Sequence, residues 1–223
     1  DIGSTSHASD FCYMTSHDKL TVFTSTYSRE FYKSRGNFIE IGGMEVARKG
    51  DDAQVQELLR KVASGKAFGT NAHMITAAEA KERFPLLEED TIECAMWDPD
   101  AGLVTPRSQK VAGDLVDEAV AAGKLKAFPY TPAEEIIVEN GRAVGVKTAK
   151  GTIMADHVVL CAGIWGSLVS ETAKIKLPLM PVEHPLLFFG PWDALEDTGK
   201  DIVYPLFRDQ GNSAYVRDTG DPT

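Results

Sequence analysis

The segment Val158-Val159-Leu160-Cys161-Ala162-Gly163-Ile164-Trp165-Gly166 carries most of the fold prediction. Its five leading apolar residues are typical of a strand covered on both faces, as in a parallel sheet. Gly163 ends that predicted strand, and a helix is predicted from about Trp165. Open α/β sheets bind ligands at the carboxyl ends of their strands, where a glycine lets a cofactor approach the backbone. An ordinary strand–helix corner has the same pattern, so the spacing alone leaves both interpretations open.

The sequence on either side of this segment alternates between helical and strand periodicity, which predicts a mixed α/β fold. Asn140-Gly141 predicts a hairpin between residues 135–139 and 143–148, and Lys150-Gly151 predicts a second turn. Residues 1–17 are aperiodic and predict a loop. The other predicted helices cover residues 18–35, 51–64, 75–84 and 105–122, and the other predicted strands cover 38–41 and 44–47 (paired around Gly42-Gly43), 92–97, 125–130, 182–189, 202–207 and 214–217.

The composition is that of an ordinary globular protein, with 43% hydrophobic and 25% charged residues. The net charge of −10 disfavours a nucleic-acid-binding surface, which needs clustered lysine and arginine, and no apolar run is long enough for a membrane span. Three widely spaced cysteines without a CxxC pair predict reduced thiols, no disulfide framework and no metal site. Both ends are predicted to be cut from a longer protein, because Asp1 is not an initiator methionine and residues 219–223 are turn-like.

Three features of the sequence could carry chemistry. Gly3-Ser4-Thr5-Ser6-His7-Ala8-Ser9 is a run of small residues that can approach a ligand closely, with a histidine as candidate nucleophile, although a surface loop explains it too. His184, between Pro181 and Pro185, can orient or deprotonate an amine, although a hydrogen-bonded core histidine has the same pattern. Tyr215 lies in a predicted strand, where an aromatic residue is common without any function.

Taken in their order along the chain, these segments resemble the FAD-dependent amine oxidoreductases of the D-amino-acid-oxidase superfamily. Within that superfamily the resemblance is to the dimethylglycine oxidase, dimethylglycine dehydrogenase and sarcosine dehydrogenase group. The resemblance covers nearly the whole chain, and the order of the motifs is more specific than any one of them. The matching segments are 3–8 with G-S-T-[SW]-H-A, 161–165 with A-A-G-[FI]-W, 179–184 with P-L-x-P-[VL]-x-H and 215–220 with Y-x-R-[ED]-x-G.

The resemblance implies FAD as the cofactor. It implies that His7 carries the flavin covalently through the 8α carbon of the isoalloxazine. It also implies that Trp165 and the turn before it line the flavin, and that the backbone of Ala133 contacts the adenine. The cofactor-binding residues implied by the resemblance are Gly3, Ser4, Thr5, Ser6, His7, Ala8, Ala133, Ala162, Gly163 and Trp165.

The reaction implied by the resemblance is oxidation of an N-methylated amino acid of the dimethylglycine or sarcosine type, with hydride transfer to the flavin. His184 would bind or deprotonate the amine, and Tyr215 would position the substrate through its hydroxyl. Oxygen or an electron-transfer flavoprotein would accept the electrons, and tetrahydrofolate could act in a further C-terminal domain. No nucleic-acid or membrane partner is expected, and the location would be the bacterial cytoplasm or the mitochondrial matrix.

Two lobes are implied by the resemblance. An FAD-binding Rossmann-like lobe, roughly residues 1–35 and 105–175, would interleave with an antiparallel-sheet substrate lobe, roughly 36–104 and 176–223. The family's strand and GxGxxG segment before the histidine are absent from this sequence, so the isolated chain is expected to be inactive.

Two smaller departures concern Pro185 after His184, and Ser9-Asp10 in place of a small residue and glycine. Three alternatives remain: another superfamily member without covalent flavin, a non-catalytic fragment that does not hold FAD, and a folate-linked protein that only channels product.

Overall fold

The structure, a computed structural model, describes residues 3–190, 192 and 202–219. The fold is mixed α/β, as predicted. The chain forms two compact units, each built from two separate stretches of sequence. The first unit contains Asp1–His7 and Ala112–Leu187, and the second contains Ala8–Val111 and Phe188–Thr223.

The described residues form five α-helices and eleven strands. The helices are α1 (Lys19–Ser34), α2 (Asp52–Ala67), α3 (Ala77–Arg83), α4 (Ser108–Ala121) and α5 (Gly166–Thr172). The strands are β1 (Phe11–Cys12), β2 (Phe38–Glu40), β3 (Gly43–Arg48), β4 (His73–Thr76), β5 (Ile92–Asp98), β6 (Gly102–Val104), β7 (Ala133–Glu139), β8 (Arg142–Thr148), β9 (Gly151–Met154), β10 (Leu206–Asp209) and β11 (Ala214–Val216).

A five-stranded sheet is the framework of the second unit, with strand order β11-β10-β3-β5-β4. β10 runs parallel to β3, and the other neighbours are antiparallel. β3 is buried along nearly its whole length because both faces of the sheet are covered. Met44 and Val46 pack with Phe84 on one face, and Ala47 packs with Leu58 of α2 on the other. This alternation is what a central strand requires.

Local sequence signals fix where the helices of the second unit begin. The carboxylate of Asp18 accepts hydrogen bonds from the amides of Leu20 and Thr21 and caps α1, which begins where the sequence predicts a helix. Thr76 and Glu79 form a reciprocal capping box at the start of α3, and this helix ends before Pro85, as predicted.

The hairpin predicted around Gly42-Gly43 is wrong, because β2 and β3 do not pair with each other. β2 pairs with β6 in a separate three-stranded sheet of order β1-β6-β2, whereas β3 pairs with β5 and β10. Gly42 has φ +74°, donates its N–H to the carbonyl of Ala101 and accepts from the N–H of Leu206. The glycine bend therefore passes the chain from one sheet to the other.

The first unit contains a three-stranded antiparallel sheet of order β7-β8-β9. The predicted hairpin is confirmed, with Asn140 and Gly141 both at positive φ in the turn. The second turn leads into β9, also as predicted. α5 packs on β7, where Ile136 is buried and donates its N–H to the hydroxyl of Thr172.

Several predicted strands are wrong. Residues 158–162 form no strand, and Val159 is 80% exposed. Residues 125–130 and 182–189 also form no strand, and within 202–207 a strand begins only at Leu206. An apolar run becomes a strand only where a neighbouring strand pairs with its backbone, and no described strand pairs with these residues. The helix predicted after residues 158–162 is present as α5.

Helix α4 begins at Ser108, later than predicted from Thr105-Pro106. Its first amide is satisfied by the carboxylate of Asp10, which accepts from the N–H of Ser108 at 2.8 Å, so the cap comes from a distant segment. Gly123 follows the helix at φ +67°, as predicted. Among the described residues, no helix has the length and hydrophobicity that crossing a membrane requires.

Candidate active site

The hairpin of β10 and β11 presents Tyr215 on one face of the large sheet. Arg208 and Tyr215 lie opposite each other in the antiparallel register, so their side chains emerge on the same face. The turn between the strands is fixed by Asp209, whose carboxylate accepts from the N–H of Asn212 and binds Arg48 at 2.7 Å. Tyr215 is 40% exposed, and its ring meets the Phe11 ring edge-on at 5.0 Å.

Phe11, Tyr13, Arg208 and Tyr215 together form a surface that we call the aromatic surface. The Arg208 guanidinium lies over the rings of Phe11 and Tyr13, at 5.8 and 5.1 Å from their centroids. None of the described carboxylates forms an ion pair with Arg208. The aromatic surface therefore carries a guanidinium that has no ion-pair partner among the described side chains.

Tyr13 is the fixed member of the aromatic surface. Its hydroxyl donates to the carbonyl of Met44 at 2.8 Å, and the carbonyl of Leu206 lies at 3.3 Å from the same oxygen. Burial raises the pKa of the Tyr13 phenol well above its usual value, so the group stays neutral and keeps donating. This phenol contacts the first residue of β10 and a residue of β3, and the Arg208 guanidinium lies over its ring.

Asp10 lies next to the aromatic surface and binds two arginines. Its carboxylate is almost fully buried, with Arg107 Nε at 2.8 Å and Arg217 Nη2 at 3.3 Å from Oδ2. Burial lowers the pKa of the Arg217 guanidinium, while the Asp10 carboxylate acts in the opposite direction. Arg217 follows β11 directly, so this ion pair anchors the end of the segment that carries Tyr215.

The predicted flavin-tethering histidine lies in the 3₁₀ helix Ser4–His7 of the first unit and is exposed. The hydroxyl of Ser6 donates its single proton to the carbonyl of Gly3 at 2.7 Å. The same oxygen lies 3.0 Å from His7 Nδ1, and it can only accept there. In the neutral ring, this pattern places the proton on Nδ1 and the lone pair on Nε2.

Most of the other predicted flavin-side residues also belong to the first unit. Trp165 is exposed, Ala162 precedes the 3₁₀ helix Gly163–Trp165, and Ala133 is the first residue of β7 opposite Thr148. Gly163 has φ +52°, and nothing lies within 4 Å of the position a Cβ would take. Ala8 is half-buried and belongs to the second unit.

His184, the predicted amine-contacting residue, is exposed in an extended segment of the first unit. It makes no side-chain hydrogen bond to any described residue. Tyr215 belongs to the second unit, so the structure describes these two predicted residues in separate settings. Gly220, the last residue of the predicted tyrosine motif, lies outside the described residues.

Asp10, Tyr13 and Arg208 are not among the residues that the sequence predicts for the site. Asp10 was visible only as a departure from a family motif, and Phe11 and Tyr13 only as alternate aromatic residues in a predicted loop. Arg208 becomes recognisable through its register opposite Tyr215, which no local pattern reveals. In the described part of the chain, no group of three His, Cys, Asp or Glu side chains could hold a metal ion.

The described residues fit a flavin in two respects. His7 offers an exposed imidazole whose Nε2 makes no hydrogen bond to any described residue, so this nitrogen is accessible for attachment to an electrophilic carbon. Gly163 leaves open space where any other residue would carry a Cβ, so a flat ring system can approach the backbone there. Both observations concern the first unit.

Comparison with known proteins identifies relatives for nearly the whole chain. The sequence model of the family described as "FAD dependent oxidoreductase" (DAO) matches residues 7–223. Human mitochondrial sarcosine dehydrogenase is 28% identical over 199 residues, which is 87% of this chain and 21% of that protein. The 4-methylaminobutanoate oxidase (formaldehyde-forming) of Paenarthrobacter nicotinovorans is 28% identical over 181 residues, 81% of this chain and 21% of that protein.

Among solved structures, L-proline dehydrogenase from P. horikoshii superimposes with a TM-score of 0.77 and 25% identity. The match covers 98% of this chain and 57% of the proline dehydrogenase chain. This chain thus spans about a fifth of the length of the two curated relatives, and somewhat more than half of the solved structure.

Proposed function

Because the chain belongs to the DAO family of FAD-dependent oxidoreductases, we propose that its aromatic surface binds a small amino acid that the whole protein oxidises. The proposed substrate is an N-methylated amino acid of the sarcosine or dimethylglycine type. The bond broken is the C–H bond beside the substrate nitrogen. FAD, when bound, supplies the oxidant by taking up a hydride from that carbon.

The observation that carries this proposal is that Arg208 has no carboxylate partner among the described residues. Its guanidinium lies over the rings of Phe11 and Tyr13. A guanidinium matches a carboxylate in charge and in geometry, because two N–H groups can donate to two oxygens in parallel. An amino acid brings that carboxylate. Its N-methyl groups suit the neighbouring aromatic rings, which attract methylated cations and apolar groups alike.

The remaining site residues take the roles that the resemblance implies. The exposed hydroxyl of Tyr215 donates a hydrogen bond that orients the substrate. His184 binds or deprotonates the amine, since only the neutral amine has the lone pair that stabilises loss of hydride. His7 attaches the flavin through Nε2, and the small residues of 3–8, with Ala133, Ala162, Gly163 and Trp165, contact the cofactor.

The test uses the natural full-length polypeptide that contains these residues, loaded with FAD. Under anaerobic conditions, flavin reduction is followed after addition of sarcosine, dimethylglycine, L-proline or glycine. We expect the two N-methylated amino acids to reduce the flavin fastest and glycine slowest. Reduction by none of the four, with FAD bound, would contradict the proposed activity and favour a non-catalytic member of the family.

A second substrate is supported by the superposition on L-proline dehydrogenase. L-Proline is a secondary amine with a carboxylate, so it meets the same requirements at Arg208 as sarcosine does. Fastest reduction by L-proline in the same panel would assign the protein to the cyclic amino acid.

The electron acceptor and the fate of the one-carbon product are also proposals. Oxygen consumption during turnover distinguishes an oxidase from a dehydrogenase that needs an electron-transfer flavoprotein. Formaldehyde released with and without added tetrahydrofolate tests for a folate-using domain elsewhere in the protein. The proposed location is the bacterial cytoplasm or the mitochondrial matrix. The name of the human relative states a mitochondrial location for that protein.

A further inference from the structure

Asp10 ties four segments of the second unit together. Its Oδ1 accepts from the N–H of Ser108 at the start of α4, and its Oδ2 binds Arg107 and Arg217. Its own carbonyl accepts from the N–H of Val104 at 2.7 Å. The side chain is 1% exposed, so its carboxylate depends on these protein partners and not on water for its hydrogen bonds.

The backbone of Asp10 stands in the left-handed region, at φ +67°. Aspartate tolerates this region better than most residues, yet still at a cost that glycine avoids. The carboxylate contacts offset that cost, since glycine could not make them. This residue is therefore used for its side chain and not for the freedom of its backbone.

Two contacts lie side by side along the edge of the aromatic surface. Arg217 reaches Asp10, and Tyr215, two residues earlier, meets Phe11, the residue after Asp10. Residues two apart in an extended chain project to the same side, so both side chains of the 215–217 segment face residues 10–11. Fixing Arg217 consequently limits where the Tyr215 ring can lie.

We propose that Asp10 is a positioning residue that holds Tyr215 against Phe11 through its ion pair with Arg217. The effect on catalysis rests on the proposed function. The effect on the position of Tyr215 rests only on the contacts of Asp10, Arg217 and Phe11. Asp10 does not touch the substrate. It sets the orientation of the tyrosine that does.

Arg107 and Arg217 provide a matched pair for the test, because both bind the same oxygen of Asp10 and only Arg217 is connected to Tyr215. Accessibility of Tyr215 is measured by its rate of nitration with tetranitromethane, located by peptide mass spectrometry, in the full-length protein. Arg217→Gln and Asp10→Asn are expected to raise the rate at Tyr215, and Arg107→Gln to leave it unchanged. Because Tyr215 is already 40% exposed, full release raises its exposure at most about 2.5-fold.

Substrate kinetics then test whether Asp10 affects turnover through Tyr215. We expect Asp10→Asn to lower kcat/KM about 10- to 100-fold, the range for a misplaced positioning group. In the Asp10→Asn background, Tyr215→Phe should cost much less than it does alone. Full additivity of the two substitutions, or equal nitration rates in Arg217→Gln and Arg107→Gln, would overturn the inference.

Failure of the proposed function looks different. If no amino acid in the panel reduces the flavin, the proposed function fails, while the nitration result still decides the positioning role. Should Asp10→Asn not fold, Arg217→Gln carries the test from the other side of the ion pair. Asp18→Asn, which keeps a good helix cap far from the aromatic surface, is the control for the loss of a carboxylate.

Discussion

The rings of Phe11 and Tyr215 meet edge-on, with centroids 5.0 Å apart and planes inclined by 77°. Phe11 belongs to β1 and Tyr215 to β11, so the contact joins the two ends of the described chain within the second unit. Such ring pairs prefer this arrangement and contribute about 0.5–1.5 kcal/mol beyond the area they bury. The contact holds the tyrosine ring, and its hydroxyl oxygen stays without a hydrogen bond to any described residue.

Tyr215→Phe is expected to lower kcat/KM about 10-fold or more without changing the thermal unfolding midpoint. The substitution keeps the ring contact with Phe11 and removes only the hydroxyl that orients the charged substrate, and a hydrogen bond to a charged group is worth about 1.5–3 kcal/mol, or about 10- to 100-fold. Stopped-flow flavin reduction and a melting curve measure the two effects. Tyr27→Phe, on the exposed face of α1, is the control. Unchanged reduction kinetics in Tyr215→Phe would remove the tyrosine from the site.

Arg208→Gln is expected to weaken binding of substrates that carry a carboxylate. Loss of a charge-assisted hydrogen bond costs about 1.5–3 kcal/mol, or about 10- to 100-fold in KM. An N-methylated amine without a carboxylate should be oxidised equally well by the variant and the wild type. Arg83→Gln is the matched control, because Arg83 also lies over an aromatic ring, 5.1 Å from the centroid of Trp97, away from the aromatic surface. Equal losses for both substrate types would contradict carboxylate recognition.

The predictable part of this fold is the part encoded within a few neighbouring residues. Asp18, Asn140-Gly141 and the box of Thr76 with Glu79 act on their own turns, and the two helices and the hairpin predicted at these places are present. The prediction of a strand at 158–162 is wrong because a strand depends on partners elsewhere in the chain. An apolar run contains no information about whether those partners are present.

The residues of the candidate site also differ in whether a local sequence pattern can predict them. Tyr215 and His7 stand in recognisable motifs, so the sequence could nominate them. Arg208 and Asp10 acquire their roles from strand register and from a long-range ion pair, which the sequence does not display. Residues of this second kind become visible only when 10–13 and 206–217 lie beside each other.

His7→Ala is expected to abolish acid-stable flavin while leaving FAD that can be released. The reason is that Nδ1 of His7 faces the Ser6 hydroxyl at 3.0 Å, whereas Nε2 makes no hydrogen bond to any described residue and is accessible for attachment. Flavin fluorescence in the acid precipitate, followed by peptide mapping, is the measurement. His17→Ala serves as control because His17 is exposed and pairs with Glu57. Acid-stable flavin that persists in His7→Ala would place the attachment at another residue.

Asp98→Asn is expected to change how stability depends on pH. The Asp98 carboxylate is fully buried, accepts from the amides of Met14 and Thr15 through Oδ2, and has no described partner at Oδ1. Burial raises the pKa of this carboxyl above its usual value, so the folded state holds the proton more tightly than the unfolded state does. Its contribution to stability is therefore full below the unfolded pKa and is lost as the pH rises through the folded pKa.

Asparagine does not titrate, so the variant should gain stability relative to the wild type as the pH rises. Urea unfolding of both proteins at a series of pH values from about 4 to 8 gives this difference, and groups common to both cancel. A difference that stays constant over the series, or that falls with rising pH, would contradict the raised pKa.

Lys61→Met is expected to destabilise the second unit by about 3–5 kcal/mol. Lys61 Nζ lies 2.8 Å from Glu45 Oε1, and the two side chains are 13% and 2% exposed. Without the lysine, the only described donor left to the buried carboxylate is the side-chain amide of Gln54, at 3.0 Å, and an uncompensated buried charge carries a penalty of that size. Arg60→Met removes an equally short ion pair with Glu57 from the exposed face of the same helix, and it should cost at most about 1 kcal/mol.

Adding Glu45→Gln to Lys61→Met should restore much of the loss, because the buried charge is then gone. Urea unfolding measures all four proteins, and equal losses from Lys61→Met and Arg60→Met would mean that Glu45 is solvated in the folded state.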